Sequence, residues 1–90
     1  MEIYCSKNIG DSGVLEYKMT VDRQEHADLG KINLYGIRVK YCSEDDFSYY
    51  SADSIASKPQ TVLQIIKHLF DKSVMPEKVY ENIESFLKSV

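Results

Sequence analysis

This sequence has no tryptophan, two cysteines, two prolines and four glycines in 90 residues, and its formal charge is only −3. Each shortage removes a class of protein. Cys5 and Cys42 are too few for the disulfide framework of a small secreted domain, and neither has a Cys-x-x-Cys partner. The four glycines form no phosphate-cradling loop. The longest apolar run, Ile3-Tyr4-Cys5, is far short of the ~20 residues a membrane helix needs. The N-terminal residues offer neither an apolar core nor a small-residue cleavage site for export. The expectation is a cytoplasmic protein with both thiols reduced and no membrane contact.

Positive charge is also scarce. Residues 1–57 carry ten acids against six bases, and residues 58–90 carry four against five. Neither part supplies the field that a phosphate backbone requires, so no nucleic acid is expected as a partner. A weak exception is a sheet face gathering Lys18, Lys31, Arg38 and Lys40, which Glu16 would dilute. His26 and His68 have no second ligand at metal spacing, so neither metal nor cofactor is expected. Gly10-Asp11-Ser12-Gly13 superficially looks like the surroundings of a nucleophilic serine. Without a general base and an orienting acid it reads as a turn, and no catalytic residue is assigned.

What remains is ordinary globular material, 43% hydrophobic and 28% charged, with seven tyrosines. It is expected to form a single domain over residues 1–90, an antiparallel β-meander over 1–56 followed by an αα-hairpin over 57–90. The alternation in Val14–Val21 puts Leu15, Tyr17, Met19 and Val21 on one face, with Glu16, Lys18 and Thr20 on the other. Ile32–Cys42 repeats it, Tyr35, Ile37, Val39 and Tyr41 opposing Gly36, Arg38 and Lys40. Weaker strands are expected at Ile3–Asn8 and Phe47–Ala52. Asp22–Lys31 reads as a polar connection longer than a tight hairpin, with Gly30 free to take positive φ.

Ser57-Lys58-Pro59-Gln60 resembles a capping box opening a first helix, with Val62, Leu63, Ile65, Ile66, Leu69 and Phe70 along one arc. After the tight Ser73-Val74-Met75-Pro76 connection, Val79, Tyr80, Ile83, Phe86, Leu87 and Val90 form a second stripe, backed by a Glu84–Lys88 pair. Both stripes belong on the Tyr35, Ile37, Val39, Tyr41 face. The fold class is therefore α+β, three or four antiparallel strands carrying two helices on one face.

Function is less legible. Tyr49 and Tyr50 are adjacent, so in a strand one of them points away from the core, and exposed tyrosine is enriched at interfaces. Beside them, Glu44, Asp45 and Asp46 form the densest charge cluster, without the spacing or turn glycine of a calcium loop. These five residues are the candidate interaction surface. The two cysteines are expected as small buried thiols, and both histidines as surface residues. The leading expectation is a non-enzymatic interaction or regulatory module that binds a protein partner or itself. The alternative is a small enzyme or ligand-binding protein, its pocket between sheet and helices lined by Cys42 and tyrosine hydroxyls.

Tyr35-Gly36-Ile37, the helix Val62–Phe70, the Val74-Met75-Pro76 turn and the closing Phe86-Leu87 also resemble a family of short uncharacterised bacterial proteins, a domain of unknown function from spore-forming, low-GC Gram-positive anaerobes. The likeness spans residues 34–90. It implies a bacterial cytoplasmic setting and no activity. Where that family commonly has a serine before the proline, this chain has Met75. The lost capping oxygen is worth about 1 kcal/mol, and Ser73 is expected to compensate in part.

Overall fold

A computed structural model describes residues 4–10, 12–28 and 30–88. Four strands, β1 (Tyr4–Ile9), β2 (Gly13–His26), β3 (Gly30–Cys42) and β4 (Phe47–Ala56), precede α1 (Pro59–Asp71) and α2 (Pro76–Lys88). The strands form one antiparallel sheet in the order β1-β2-β3-β4, as short connections between alternating segments require. The two helices pack on one side. The expected α+β fold is therefore the observed one. Ile3, Asp11, Leu29 and Val90, to which the sequence assigns roles in a strand, two turns and a stripe, lie outside the described residues, as does the side chain of His26.

Register places the predicted faces together. Leu15 opposes Tyr41, Tyr17 opposes Val39 and Met19 opposes Ile37, all on the helix side. Leu15, Tyr17, Ile37, Val39, Val62, Ile65, Leu69 and Val79 are fully buried there. Truncating such a residue to Ala ordinarily costs about 2–5 kcal/mol, which makes this layer the main source of stability. The stripes are narrower than the sequence suggests. In α2 only Val79 and Ile83 of the five described stripe residues are buried, whereas Tyr80 is 61% exposed and Leu87 is 44% exposed. A stripe drawn on a wheel is wider than the line along which a helix touches a sheet.

Two start signals are displaced. Lys58, not Ser57, is the N-cap of α1, and it makes no side-chain capping bond. Pro59 is the reason: the residue before proline is driven out of the α region, and Lys58 sits extended at φ −106°, ψ 123°. Gln60 is thereby one position too early for a capping box. At the other end, α1 closes in a Schellman motif, with Val74 N–H donating to Leu69 O at 3.0 Å and Ser73 N–H to Phe70 O at 3.1 Å. Ser73 occupies the left-handed position at φ 52° and accepts a bond from Lys7 Nζ at 2.8 Å, so its hydroxyl serves the sheet rather than α2.

Lys7 also donates to Phe70 O and lies 4.5 Å from the Phe70 ring centroid, a cation at the negative end of α1. Tyr17 joins it from the neighbouring strand. Its buried hydroxyl shares one proton between Val74 O at 2.9 Å and Leu69 O at 3.1 Å. Burial, more than any other cause, pushes this phenol's pKa well above the ordinary tyrosine value. The sheet thus supplies partners for carbonyls that a helix end leaves over.

The segment Asp22–His26 does not form the expected loop. It continues β2, pairing residue by residue with Gly30–Leu34, and the connection shrinks to three residues before Gly30 at φ +72°. Polar residues extend a strand here because neither face is covered. No described side chain from Val21 to Tyr35 is buried, and the ribbon forms a long arm on a molecule measuring 51 × 26 × 18 Å. Among the described residues, β1 pairs with β2 no further than Lys18, and β4 pairs with β3 no further than Tyr35.

Candidate functional site

The side of the sheet opposite the helices carries a band of aromatic and charged side chains. Alternation along each strand and the pairing between strands set its rows. One row runs Tyr4, Lys18, Arg38, Ser51, the next Ser6, Glu16, Lys40, Tyr49, and a third Asn8, Val14, Cys42, Phe47. Tyr4 is 57% exposed, Tyr49 51% and Phe47 62%, unusually high for rings on a sheet. Among the described residues no helix lies over them. Tyr4, Glu16, Lys18, Arg38, Lys40 and Tyr49 line a shallow depression of about 160 Å³.

The charges within this depression are organised. Tyr4 Oη donates to Glu16 Oε1 at 2.7 Å, and Lys40 Nζ lies 3.2 Å from Glu16 Oε2. The phenol's hydrogen bond, followed by Lys40, holds the Glu16 carboxyl below the usual range, and the same bond raises the Tyr4 phenol. Among the described residues lining the depression, Glu16 is the one carboxylate, held by Tyr4 and Lys40, with Lys18 and Arg38 beside it. The described lining thus carries three cations and one carboxylate, on a chain whose total charge is −3.

Of the five sequence candidates, the structure brings one to this face. Tyr49 stands at its centre. Tyr50 points to the helix side, half-buried, where burial and the neighbouring Tyr80 phenol raise its pKa. Glu44, Asp45 and Asp46 are exposed in the β3–β4 turn, which Ser43 organises by donating its N–H to Asp46 O at 2.8 Å and accepting from Asp46 N–H at 3.1 Å. They form the end of the sheet beside Phe47. Lys31 is not on the open face; it lies at the arm tip, 4.0 Å from Glu25. Tyr4 and Phe47 were missed. Phe47 shares the parity of Tyr49 and was findable, whereas Tyr4 joins only through its register with Lys18.

Two further expectations change. Cys42 is exposed on the open face and Cys5 half-buried on the helix side, so the thiols sit on opposite faces and both are free. Burial raises the Cys5 thiol pKa, which leaves it a poor nucleophile. His68 is half-buried, its ring 6.3 Å from that of Phe86. The groove between β4 and α2, lined by Tyr50, Ala52, Ile55, Tyr80, Ile83 and Leu87 with Glu84, does not include Cys42. Among the described residues, no three His, Cys, Asp or Glu side chains converge as a metal site, and no helix is long and apolar enough to cross a membrane.

A family model described as a family of unknown function, DUF6514, matches residues 1–89. The likeness is thus not confined to residues 34–90 but takes in β1, β2 and the open face. No curated protein and no solved structure matches the chain.

Proposed function

The chain belongs to the DUF6514 family, whose function is unknown, and from that premise we propose a non-enzymatic protein-interaction module that binds an acidic partner segment through its open sheet face. The observation that carries the reading is the set of exposed rings Tyr4, Phe47 and Tyr49 ringed by Lys18, Arg38 and Lys40. Tyrosine, phenylalanine and arginine are the side chains enriched at protein interfaces, because rigid rings bury area at small entropic cost. Arg38 and Lys40, beside a Glu16 carboxylate that already accepts from Tyr4, favour a partner carrying Asp or Glu. The two free thiols on opposite faces fit a reducing bacterial cytoplasm.

The test is selection of binding peptides from a random displayed library against the immobilised protein. The expected winners carry acidic residues beside an aromatic or aliphatic anchor, and bind more weakly as salt rises. Tyr49→Ala should weaken their binding about tenfold or more, as interface tyrosines do, and Arg38→Glu should abolish the salt dependence. Peptides that bind both variants as well as the parent overturn the reading. Binding of single-stranded oligonucleotides that depends on Tyr49 would replace it with a stacking platform for nucleic acid.

A further inference from the structure

We propose that the β2–β3 arm is a self-association device, in which the free edge of β2 at Asp22–His26 pairs antiparallel with the same edge of a second copy. This goes beyond the open-face reading and shares no residue with it.

The first argument is what an exposed ribbon lacks. Among the described residues, the two strands from Asp22 to Leu34 have only each other, and an isolated two-stranded hairpin is marginal in water. Among the described residues no strand lies along the β2 edge from Met19 to His26. At Asp22–His26 the described edge therefore presents unpaired N–H and C=O groups, the usual template for another strand.

The second argument is the order of side chains, Asp22-Arg23-Gln24-Glu25. Charges on a free edge ordinarily prevent pairing. Here one antiparallel register makes them complementary: with Gln24 opposite Gln24 on a two-fold axis, each Arg23 faces the Glu25 of the other copy. Such a self-matching patch is what a two-fold dimer requires. Shifting by one residue sets Asp22 against Glu25 in one direction and leaves Arg23 facing no carboxylate in the other. Shifting by two sets Arg23 against Arg23, or Glu25 against Glu25. Opposite charges across a strand pair stabilise, and like charges destabilise.

The third argument is space. In this register His26 of the first copy faces Asp22 of the second, so the second copy's Lys18, where its described β1 begins at Tyr4, lies four residue steps past the end of the first copy's β2. The two described bodies sit at opposite ends of a four-stranded ribbon, and the tip of each arm comes beside the base of the other. Glu25 also keeps its own Lys31 at 4.0 Å, so in the dimer it lies between two cations.

Sedimentation equilibrium on the full chain reads the outcome. The parent should dimerise, with Arg23→Glu and Glu25→Arg each weakening association by about tenfold, since the pair occurs twice per dimer. Mixing the two single variants should restore it, because the carboxylate introduced in one copy then faces the guanidinium introduced in the other. The double variant should self-associate like the parent. A parent that stays monomeric to about 1 mM, or single variants that fail to recover on mixing, overturns the proposal. Tyr49→Ala should leave dimerisation unchanged, and Arg23→Glu should leave peptide binding to the open face unchanged, so the two proposals fail separately.

Discussion

At the scale of single residues, the most consequential side chain is Tyr17, which the alternation of β2 identifies only as a core residue. Its ring is fully buried and meets Phe70 edge-on, at 6.0 Å between centroids and 71° between planes, yet its hydroxyl ends at one carbonyl in the last turn of α1 and one in the connection after it. Tyr17→Phe keeps the ring and removes the donor. The expected cost is about 1–2 kcal/mol at neutral pH, from one shared bond and two carbonyls losing a partner. The pH dependence gives a sharper check. The folded phenol's pKa lies above its unfolded value of about 10, so its contribution is complete below that pH and is lost as pH rises through the window above it. The stability difference between parent and variant, measured by urea unfolding, should therefore shrink from about pH 10 upward. A difference that stays constant to about pH 11 would mean the hydroxyl is not buried as described. Nothing in the sequence marks this role, because the carbonyls it meets lie 52 and 57 residues away.

At the scale of elements, legibility followed whether a signal was local. The amphipathic stretches around Leu15–Val21, Tyr35–Tyr41 and Val62–Phe70 announced their faces, since burial on one side imposes period two or 3.6 on the chain itself. Asp22–His26 was misread because its strand state comes from the partner strand and not from a buried face. Ile55 and Ala56 were missed for another reason: β4 bulges, with Tyr35 opposite Ala56 but Ile37 opposite Ala52, and Ser54 at φ 56°. Gly36 lies across from that bulge. A Cβ there would sit 2.4 Å from Ala52 O, a close approach that alternation placed on the solvent side. The cap of α1 was misplaced because two local rules compete there, Pro59 against Ser57, whereas α2 begins at Pro76 as its proline signals. The uncapped Lys58 leads to a prediction: Lys58→Asp should stabilise the protein by about 1 kcal/mol, adding both a capping oxygen and a negative charge at the positive end of α1. Thermal unfolding would report it. No gain, with Ser57→Ala clearly destabilising instead, would restore Ser57 as the cap.

At the scale of the whole molecule, the arm and the body divide stability from association. Among the described residues, all the fully buried side chains lie in β2 up to Met19, in β3 from Ile37 onward and in the helices, so the body contains the core. The arm adds exposed polar pairs worth little each, such as Glu25–Lys31, which is 77% and 86% exposed. Val21 opposes Tyr35, which is the geometry for closure by a two-residue turn. Replacing residues 22–34 with Asn-Gly should therefore leave a folded four-stranded body. Its melting temperature should stay within about 5 °C of the parent, because losing exposed pairs costs under about 1 kcal/mol and a shorter loop lowers the entropy of closure. The same variant should bind peptides at the open face like the parent and sediment as a monomer at every concentration. A truncated chain that fails to fold would mean that the arm supports the core, and the separation drawn from burial would be wrong. A truncated chain that folds and still dimerises would keep the division but move the contact to the body, where the Tyr4, Tyr49 and Phe47 face is the first surface to examine.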